Sequence, residues 1–531
     1  MGNNDFLIGI IKEKKVKMKM SILLVLCLGR LAFGAGSLTP PGAPAPTMKT
    51  LDEIDLSVSN TTAAVKIAEP RIAVSKGGMI LSSPGSYYLT TNLVITGSGY
   101  GLSITVDNVT VDLNGFSILG ASSTGTGIGM NNRKNVVIKN GTIRDAYYHG
   151  ISALLTSQCQ FKNLRIIGNG RSDSFYDGIR SGIDTTITGC FIAKNGSGVE
   201  VAGGSKIIDN QIINNTDKGL KLTGTESYIT KNIVKGNGEN YDFAQGNFLN
   251  ILLCEIPETI RWPCSIKLAG SLTPSSGNTG ISVFSNNVSI DLCGHALIGT
   301  GADSGSGIWM DSNAKNLRVC NGSLRNWKGT YQGGISALGE NIQIEKVQIS
   351  DCYYGVSASS KGTISKCSSC NNEAGFSLGS GFVITECSAS KNRQDGIYAY
   401  SNNVISCCSV GGCGMTGIFA QYHNSIIDCT STGNDENGIK VDSDSFVSKN
   451  MCSINGKNGS GAGVYVLGHD CRIENNSCTD NDWGIKVDGN GNFIVKNTAS
   501  GNGTNYTINA GSHFRISTTL TGAEAWDNFE F

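Results

Sequence analysis

The chain has 531 residues, with 42 basic and 42 acidic side chains and therefore a formal net charge of zero. It shows no basic stripe, which argues against a nucleic-acid partner, because phosphate binding needs clustered Lys and Arg. Glycine is abundant, at 70 residues, whereas proline is scarce, at 9. This combination excludes collagen and a proline-rich disordered chain.

Residues 1–34 are typical of a cleaved export signal. Five lysines between residues 12 and 19 precede a short apolar run at 22–28, and residues 32–34 offer a small-x-small cleavage site. The run is too short to span a bilayer. We therefore predict an extracellular, cell-surface or periplasmic protein with no transmembrane segment after signal removal. Residues 35–69, which contain Pro40, Pro41, Pro44 and Pro46, are predicted to form a leader or linker.

A glycine followed by an apolar residue then recurs sixteen times, at a spacing that settles near 21 residues. A fixed period in the twenties predicts a solenoid, in which each repeat buries its apolar face against its neighbours. In the second half of the chain these glycines are Gly280, Gly307, Gly334, Gly355, Gly375, Gly396, Gly417, Gly438, Gly463 and Gly484.

Within each repeat, apolar residues stand one, three, nine and 14 positions after the glycine, which is the alternation of short strands with one face inward. The glycine is interpreted as one bend, where a positive φ costs little. An Asn or Cys twelve positions on marks another bend, where Asn amides can bond the same residue about 4.8 Å away in the next coil. The pattern predicts an all-β chain folded as a parallel β-helix. The bend residues are Cys190, Asn210, Cys367, Cys387, Cys408, Cys429 and Asn450.

The 18 cysteines leave alternatives open. Because they share the Asn position, we favour a ladder of small buried side chains. Disulfides between adjacent coils are the alternative that an exported protein suggests. A metal site at Cys367 and Cys370 has weak support, since a single C-x-x-C pair without a His cluster is unspecific.

The repeat array is duplicated. Residues 109–115 match 288–294, residues 134–141 match 315–322, and the sequence of 150–154 returns unchanged at 334–338. We therefore predict two tandem β-helix units, at 70–250 and 251–515. The tail, 516–531, is predicted to cap the open end of the second unit.

The Gly-Ile coils, the Asn and Cys bends and the Asp-Leu-Asn-Gly turn together resemble the right-handed parallel β-helix repeat proteins of the pectin-lyase-like superfamily, including the periplasmic NosD type. The resemblance covers roughly residues 80–515 and implies a right-handed parallel β-helix solenoid. Members are mostly polysaccharide lyases, hydrolases and epimerases, with tailspikes and adhesins as the main others. The family's catalytic motifs are incomplete here: residues 215–217 match one polygalacturonase segment by letter, and its partner motifs are missing. Because the matching residues are structural, the resemblance implies a fold rather than an activity.

One candidate catalytic group lies around the longest early loop. It consists of Asp173, Asp177, Asp184 and Arg180. Carboxylates beside a guanidinium could bind Ca²⁺ and abstract a proton from a uronate, and Ca²⁺ is the one cofactor that we keep open. The alternative is an ordinary solvated loop.

A second candidate group is aromatic. Tyr147, Tyr148 and His149 precede Gly150, and Trp327 and Tyr331 stand at the aligned place in the second copy. Aromatic rings on a flat ridge suit the CH faces of sugar rings. Stacking between coils is the alternative role.

Our first hypothesis is a secreted or surface β-helix protein that binds polysaccharide, or a cell-surface glycan, along its lateral face. It rests on the export signal, the aromatic residues and the incomplete catalytic set. The alternatives are a uronate lyase or glycoside hydrolase and a structural or adhesive surface protein. The sequence leaves open whether the chain is an enzyme, and it predicts no metal site.

Overall fold

The computed structural model describes residues 70–121, 124–171, 175–275, 277–457 and 459–531. The unit from Pro70 to Phe531 is compact, and its described part consists of 53 strands with no helix. The described residues therefore contain no helix that could span a membrane. The predicted signal peptide, the predicted leader and Asp173 lie outside the described residues.

Successive coils stack as a parallel β-helix, which confirms the fold predicted from the repeat. Each coil contributes up to three short strands, and each strand pairs in parallel with its counterpart one coil further on. Ile187 pairs with Ile207, for example, and Ile192 pairs with Ile212. The solenoid therefore has three lateral faces and three corners between them.

The first face starts at the recurrent glycine. Its strands are Met79–Leu81, Tyr100–Ile104, Thr126–Gly129, Ile151–Ser157, Asp177–Ile183, Ser197–Val201, Lys218–Leu222, Glu239–Phe243, Glu258–Ile260, Ile281–Val283, Ile308–Met310, Ile397–Ser401, Ile418–Tyr422, Ile439–Val441, Ala462–Val466, Trp483–Val487 and Thr504–Ile508.

The second face follows the first along each coil. Its strands are Ile72–Val74, Gly85–Leu89, Val109–Asp112, Thr186–Thr188, Lys206–Ile208, Tyr228–Thr230, Cys264–Leu268, Val288–Asp291, Val404–Ser406, Ser425–Ile427, Phe446–Ser448, Arg472–Glu474, Phe493–Val495 and His513–Phe514.

The third face completes each coil. Its strands are Leu93–Ile95, Ser117–Gly120, Phe191–Ala193, Gln211–Ile213, Ile233–Lys235, Ala296–Gly301, Ser368–Cys370, Ser388–Ser390, Ser409–Gly411, Thr430–Thr432, Met451–Ser453, Ser477–Thr479, Thr498–Ser500, Ile516–Ser517 and Asn528–Glu530. Seven longer strands pass around corners. Gly333–Ser350 serves all three faces. The other six serve two faces: Val136–Arg144, Gln160–Ile167, Phe248–Leu253, Lys315–Trp327, Tyr354–Ser365 and Ala374–Thr385.

The core is the column of apolar side chains inside the coils. The inward positions predicted from the repeat are buried, as Ile179, Ile187 and Ile192 show within one coil. Like side chains stack on like in register, so every coil buries its apolar face against the coils above and below.

The recurrent glycine does not form a bend, and that interpretation was wrong. Gly178, Gly198 and Gly417 lack a positive φ and lie at the start of first-face strands. A Cβ on Gly198 would lie 2.7 Å from Ile212 Cγ2 and 2.9 Å from Asn215 Nδ2. Glycine is needed there because the next coil and its corner amide approach too closely for any side chain. The corners instead use residues such as Lys194 and Asp209, which have positive φ values.

Amide ladders run along all three corners, rather than along one. At the second corner, Asn450, Asn476 and Asn497 each donate through Nδ2 to the next Asn Oδ1 at 2.9 Å. Comparable bonds join Asn434 to Asn455 at the third corner and Asn403 to Asn424 at the first. Because buried turn amides must be satisfied, these ladders hold the register of the coils.

The cysteines at the second corner take the position of the Asn residues, as the ladder interpretation predicts. Cys387, Cys408 and Cys429 are buried, and each thiol contacts the carbonyl oxygen two residues before it, at 3.2–3.3 Å. All cysteines in the described residues are free thiols. No group of three or more His, Cys, Asp or Glu in those ranges is placed to hold a metal ion.

The two copies build the same turn from the same motif. Asp112 Oδ1 accepts the N–H of Asn114 at 2.9 Å, and Asp291 Oδ1 accepts that of Cys293 at 2.9 Å. At the predicted boundary, the sheet of the first face ends at Glu239–Phe243. Phe248–Leu253 nevertheless pairs with strands on both sides of that boundary. The division into units at 70–250 and 251–515 stays a prediction.

Candidate functional site

A cluster of aromatic rings lies at the third corner of the first copy, just before the first-face strands begin. Tyr147 and Tyr148 meet edge to face, with ring centroids 5.2 Å apart. Tyr176, one coil further on, lies 4.9 Å from Tyr148 and 5.1 Å from His149. The structure therefore brings the three predicted residues together and adds Tyr176. The sequence signal for Tyr176 was its place just before the Asp-Gly of the next coil.

Beneath these rings lies a buried pair, His149 and Asp177. The backbone N–H of Asp177 donates to His149 Nδ1 at 3.0 Å, and Asp177 Oδ2 lies 3.4 Å from the same nitrogen. Burial raises the pKa of Asp177, although the neighbouring imidazole of His149 opposes this. Asp177 Oδ2 and Arg180 Nε are buried without a hydrogen-bond partner. The backbone N–H of Asp177 thus positions His149, but its carboxyl group, with only 3% of the side chain exposed, cannot reach a ligand on the surface.

The structure places only some members of the predicted catalytic group close together. Arg180 lies next to Asp177, 4.0 Å from Nε to Oδ2, and its Nη2 lies 3.3 Å from Glu200 Oε1. Asp184 follows the far end of the strand Asp177–Ile183 and is exposed at the first corner. Seven strand residues span roughly 20 Å, so Asp184 does not face Asp177. The fourth member, Asp173, lies outside the described residues.

The aligned corner of the second copy also carries three tyrosines. Tyr331 is 72% exposed, and its ring centroid lies 5.7 Å from that of Tyr353. Tyr353 lies 4.9 Å from Tyr354. Tyr353 and Tyr354 were not among the predicted site residues. They stand directly before the recurrent Gly355, and Tyr176 stands two positions before the recurrent Gly178.

Trp327 was predicted to present its ring to a ligand, and this is wrong. The side chain is completely buried, and its Nε1 donates to the carbonyl oxygen of Leu297 at 3.2 Å. The ring packs in the core over Gly280, Gly299 and Gly307, where an added Cβ would meet it. Stacking between coils, the alternative role, is the role that the structure shows.

A polar cleft of about 230 Å³ adjoins the second tyrosine cluster. Arg393 and Glu373 form an ion pair across it, with Nη1 and Oε2 3.4 Å apart. The cleft is smaller and more polar than a usual small-ligand pocket, so it is a minor feature beside the tyrosines. Its lining includes Lys328, Asp351, Tyr353, Asn371, Glu373 and Arg393.

A further row of rings and cations lies on the first face of the second copy and was missed in the sequence. We call it the lysine–aromatic strip: Tyr398, Phe419, Lys440, Tyr465 and Lys486. Each of these residues stands two positions after a recurrent glycine, so aligning the repeats on that glycine would have revealed the row.

Similarity to solved structures is low in sequence. The Dettilon tailspike protein (gp208) is 15% identical, with a TM-score of 0.39 and 62% of each chain covered, so the match spans under two thirds of that protein's length. A mutant of the periplasmic alginate epimerase AlgG is 9% identical, with 60% of this chain and 78% of that chain covered and a TM-score of 0.23. A mutant tailspike of E. coli bacteriophage HK620, in complex with a hexasaccharide, is 10% identical over 72% and 75%, with a TM-score of 0.20.

No curated protein matches the chain. A family model described as "Right handed beta helix region" matches residues 61–238, 303–459 and 379–521. These matches cover more than half of the chain and the same coils that stack in the structure. The chain therefore belongs to the right-handed β-helix family.

Proposed function

We propose that this protein binds polysaccharide along its lateral face, outside the cell, at its surface or in the periplasm. The observation that carries the proposal is the recurrence of three tyrosines at the same corner in both copies, with neighbouring centroids 4.9–5.7 Å apart. Neighbouring rings on one edge of a rigid solenoid can stack against successive sugar rings, and their hydroxyls can donate to sugar oxygens.

Binding has more support than catalysis at the first cluster. A lyase that uses the predicted acidic loop needs its carboxylates together at the surface, whereas Asp177 lies under His149 and Asp184 lies at the far end of the strand. The alternative of a lyase or hydrolase keeps one specific support, the imidazole of His149, which the backbone N–H of Asp177 holds at Nδ1, since a positioned imidazole suits proton transfer.

A glycan array with the full chain tests the proposal, followed by affinity measurements on the best ligand. We expect Tyr147→Ala with Tyr176→Ala, and separately Tyr331→Ala with Tyr353→Ala, to weaken binding about thirtyfold, because each variant removes two rings that contribute on the order of 1 kcal/mol each. Tyr228→Ala is the control, since Tyr228 is 39% exposed on the second face, away from both clusters.

Two results would contradict the proposal. One is the absence of binding to any plant, algal or bacterial glycan. The other is equal affinity of both double variants and the Tyr228 control. If unsaturated uronate products accumulate from pectate or alginate, and His149→Ala abolishes them, the lyase alternative holds instead.

A further inference from the structure

The lysine–aromatic strip is continuous over five successive coils. The centroids of Tyr398 and Phe419 are 5.5 Å apart. Lys440 Nζ lies 4.9 Å from the ring centroid of Phe419 and 5.7 Å from that of Tyr465, and Lys486 Nζ lies 4.6 Å from the Tyr465 centroid. All five side chains are partly exposed. Three rings and two cations therefore lie in one outward-facing row, with Lys440 between Phe419 and Tyr465.

The row follows the helix axis because the coils pair in register. Tyr398 is opposite Phe419, Phe419 opposite Lys440, Lys440 opposite Tyr465, and Tyr465 opposite Lys486. Neighbouring strands are about 4.8 Å apart, so the row is roughly 19 Å long. This spacing is similar to the length of one sugar residue in an extended glycan. A linear chain along the axis would meet one strip residue per sugar.

The charge of the row is concentrated at Lys440. Lys486 is compensated, since its Nζ lies 3.6 Å from Asp488 Oδ2. No ion pair within 4 Å joins Lys440 Nζ to a carboxylate in the described residues, although its charge acts at longer range on Asp395. Asp395 Oδ1 already accepts the N–H of Thr416 at 3.0 Å, and burial raises its pKa to about 6. Lys440 is thus a cation between two rings, without an ion-pair partner in the part of the chain that the structure describes.

The first copy shows that this row is not a requirement of the fold. Three of its coils carry Arg180, Glu200 and Lys221 at the same position of the repeat, two residues after the glycine, and these side chains form a row of ion pairs at 3.3 and 3.2 Å. The fold therefore tolerates ordinary surface charges at these positions. In the strip, this position of the repeat carries three rings and two lysines, and among the described residues one of these lysines, Lys440, has no ion-pair partner.

We propose that the lysine–aromatic strip binds a linear acidic glycan, with sugar rings against Tyr398, Phe419 and Tyr465 and a carboxylate or sulfate group at Lys440. The inference rests on the proposed function and extends it, because it names the ligand class and a second surface. Rings exclude water around the ammonium group, which strengthens its attraction for an anion relative to a fully solvated lysine.

The test measures the affinity of the full chain for three oligosaccharides of equal length: a polyuronate, a sulfated neutral sugar and the unsulfated neutral sugar. We expect both acidic probes to bind more tightly than the neutral one, and their ranking to identify the preferred anion. Lys440→Gln should weaken acidic binding about tenfold and leave neutral binding unchanged. Phe419→Ala should weaken all three. The matched control is Lys206→Gln, which removes one exposed lysine from the second face.

Two outcomes overturn the inference: equal affinity for acidic and neutral probes, or identical behaviour of Lys440→Gln and Lys206→Gln. If glycan binding persists in these cases and depends on the corner tyrosines, only the strip is refuted and the proposed function stands. If the wild-type chain binds no probe and no array glycan, both fail. Thermal unfolding of each variant checks that lost affinity does not reflect a lost fold.

Discussion

At the scale of single residues, the recurrent glycine and the corner amide form one packing unit. A Cβ on Gly417 would lie 2.5 Å from Asn434 Nδ2 and 2.7 Å from the carbonyl oxygen of Gly438, and would also collide with Ser431 Oγ. The same amide donates to Asn455 Oδ1 at 2.9 Å. A side chain at the glycine would therefore displace the buried ladder that joins the coils.

We expect Gly417→Ala to destabilise the protein by several kcal/mol, since it combines an overpacked contact with a disturbed buried amide. Gly433→Ala is the matched control. Gly433 has a φ of 66° and no atom within 4 Å of an added Cβ, so alanine there costs only the left-handed backbone strain, about 1 kcal/mol. Denaturant midpoints compare the two variants. Equal losses would show that the close approach at Gly417 is unimportant.

The site shows which residues a repeat pattern can predict. Tyr147, Tyr148 and Tyr331 could be found because they stand beside the recurrent glycine, and the structure places them in aromatic contact. The burial of Trp327 could not be inferred. A shift of one position along the chain decides whether a ring near a corner points into the core or toward solvent. The strip was missed because its period appears only when the outward positions are aligned.

At the scale of elements, the junction between the copies differs from the rest of the stack. Sheet pairing on the first face ends at Glu239–Phe243 and resumes from Glu258–Ile260. Glu258 is buried in this gap, where Asn240 Nδ2 lies 3.5 Å from its Oε2. Burial raises the pKa of Glu258 to about 7 from an ordinary value of 4.5, despite the opposing bonds from Asn240 and Thr259.

This shift predicts a pH dependence of stability. The folded chain holds a proton on Glu258 that the unfolded chain releases between about pH 4.5 and pH 7, so stability falls as the pH rises through this window. The full effect is roughly 3 kcal/mol. Glu258→Gln should remove this part of the slope and be more stable than wild type above pH 7. Denaturant midpoints across the window measure it.

The control for this experiment is Glu386→Gln, which changes an exposed carboxyl of the second copy. Its pH profile should follow that of wild type. A Glu258→Gln profile parallel to wild type over the whole window would mean that the junction admits enough water to solvate the carboxylate.

At the scale of the whole molecule, most of the architecture follows from the sequence. Period, inward positions and the corner ladder all come from one repeat, because each coil only has to satisfy its neighbours. Val109–Asp112 and Val288–Asp291 occupy equivalent places, as the duplicated motif predicts. The gap in the first-face sheet could not be predicted from the repeats. It depends on the residues between the two copies and on how they continue the stack.

Because each coil contacts only its neighbours, removing the C-terminal end should affect only the coils next to it. Asn528–Glu530 pairs with Thr498–Ser500, and Asn497 donates to Asn528 Oδ1 at 2.9 Å, which ends the second-corner ladder. Deleting residues 516–531 leaves that amide and a strand edge uncovered. We expect hydrogen exchange to speed up in the last coils and to stay unchanged near Asn215, because coupling decays with distance along the stack. Self-association should increase through the open edge.

Asn528→Ala, which keeps the strand but removes the amide, should give a smaller effect at the same coils. Uniform loss of protection along the chain would instead mean that the solenoid unfolds as a single unit.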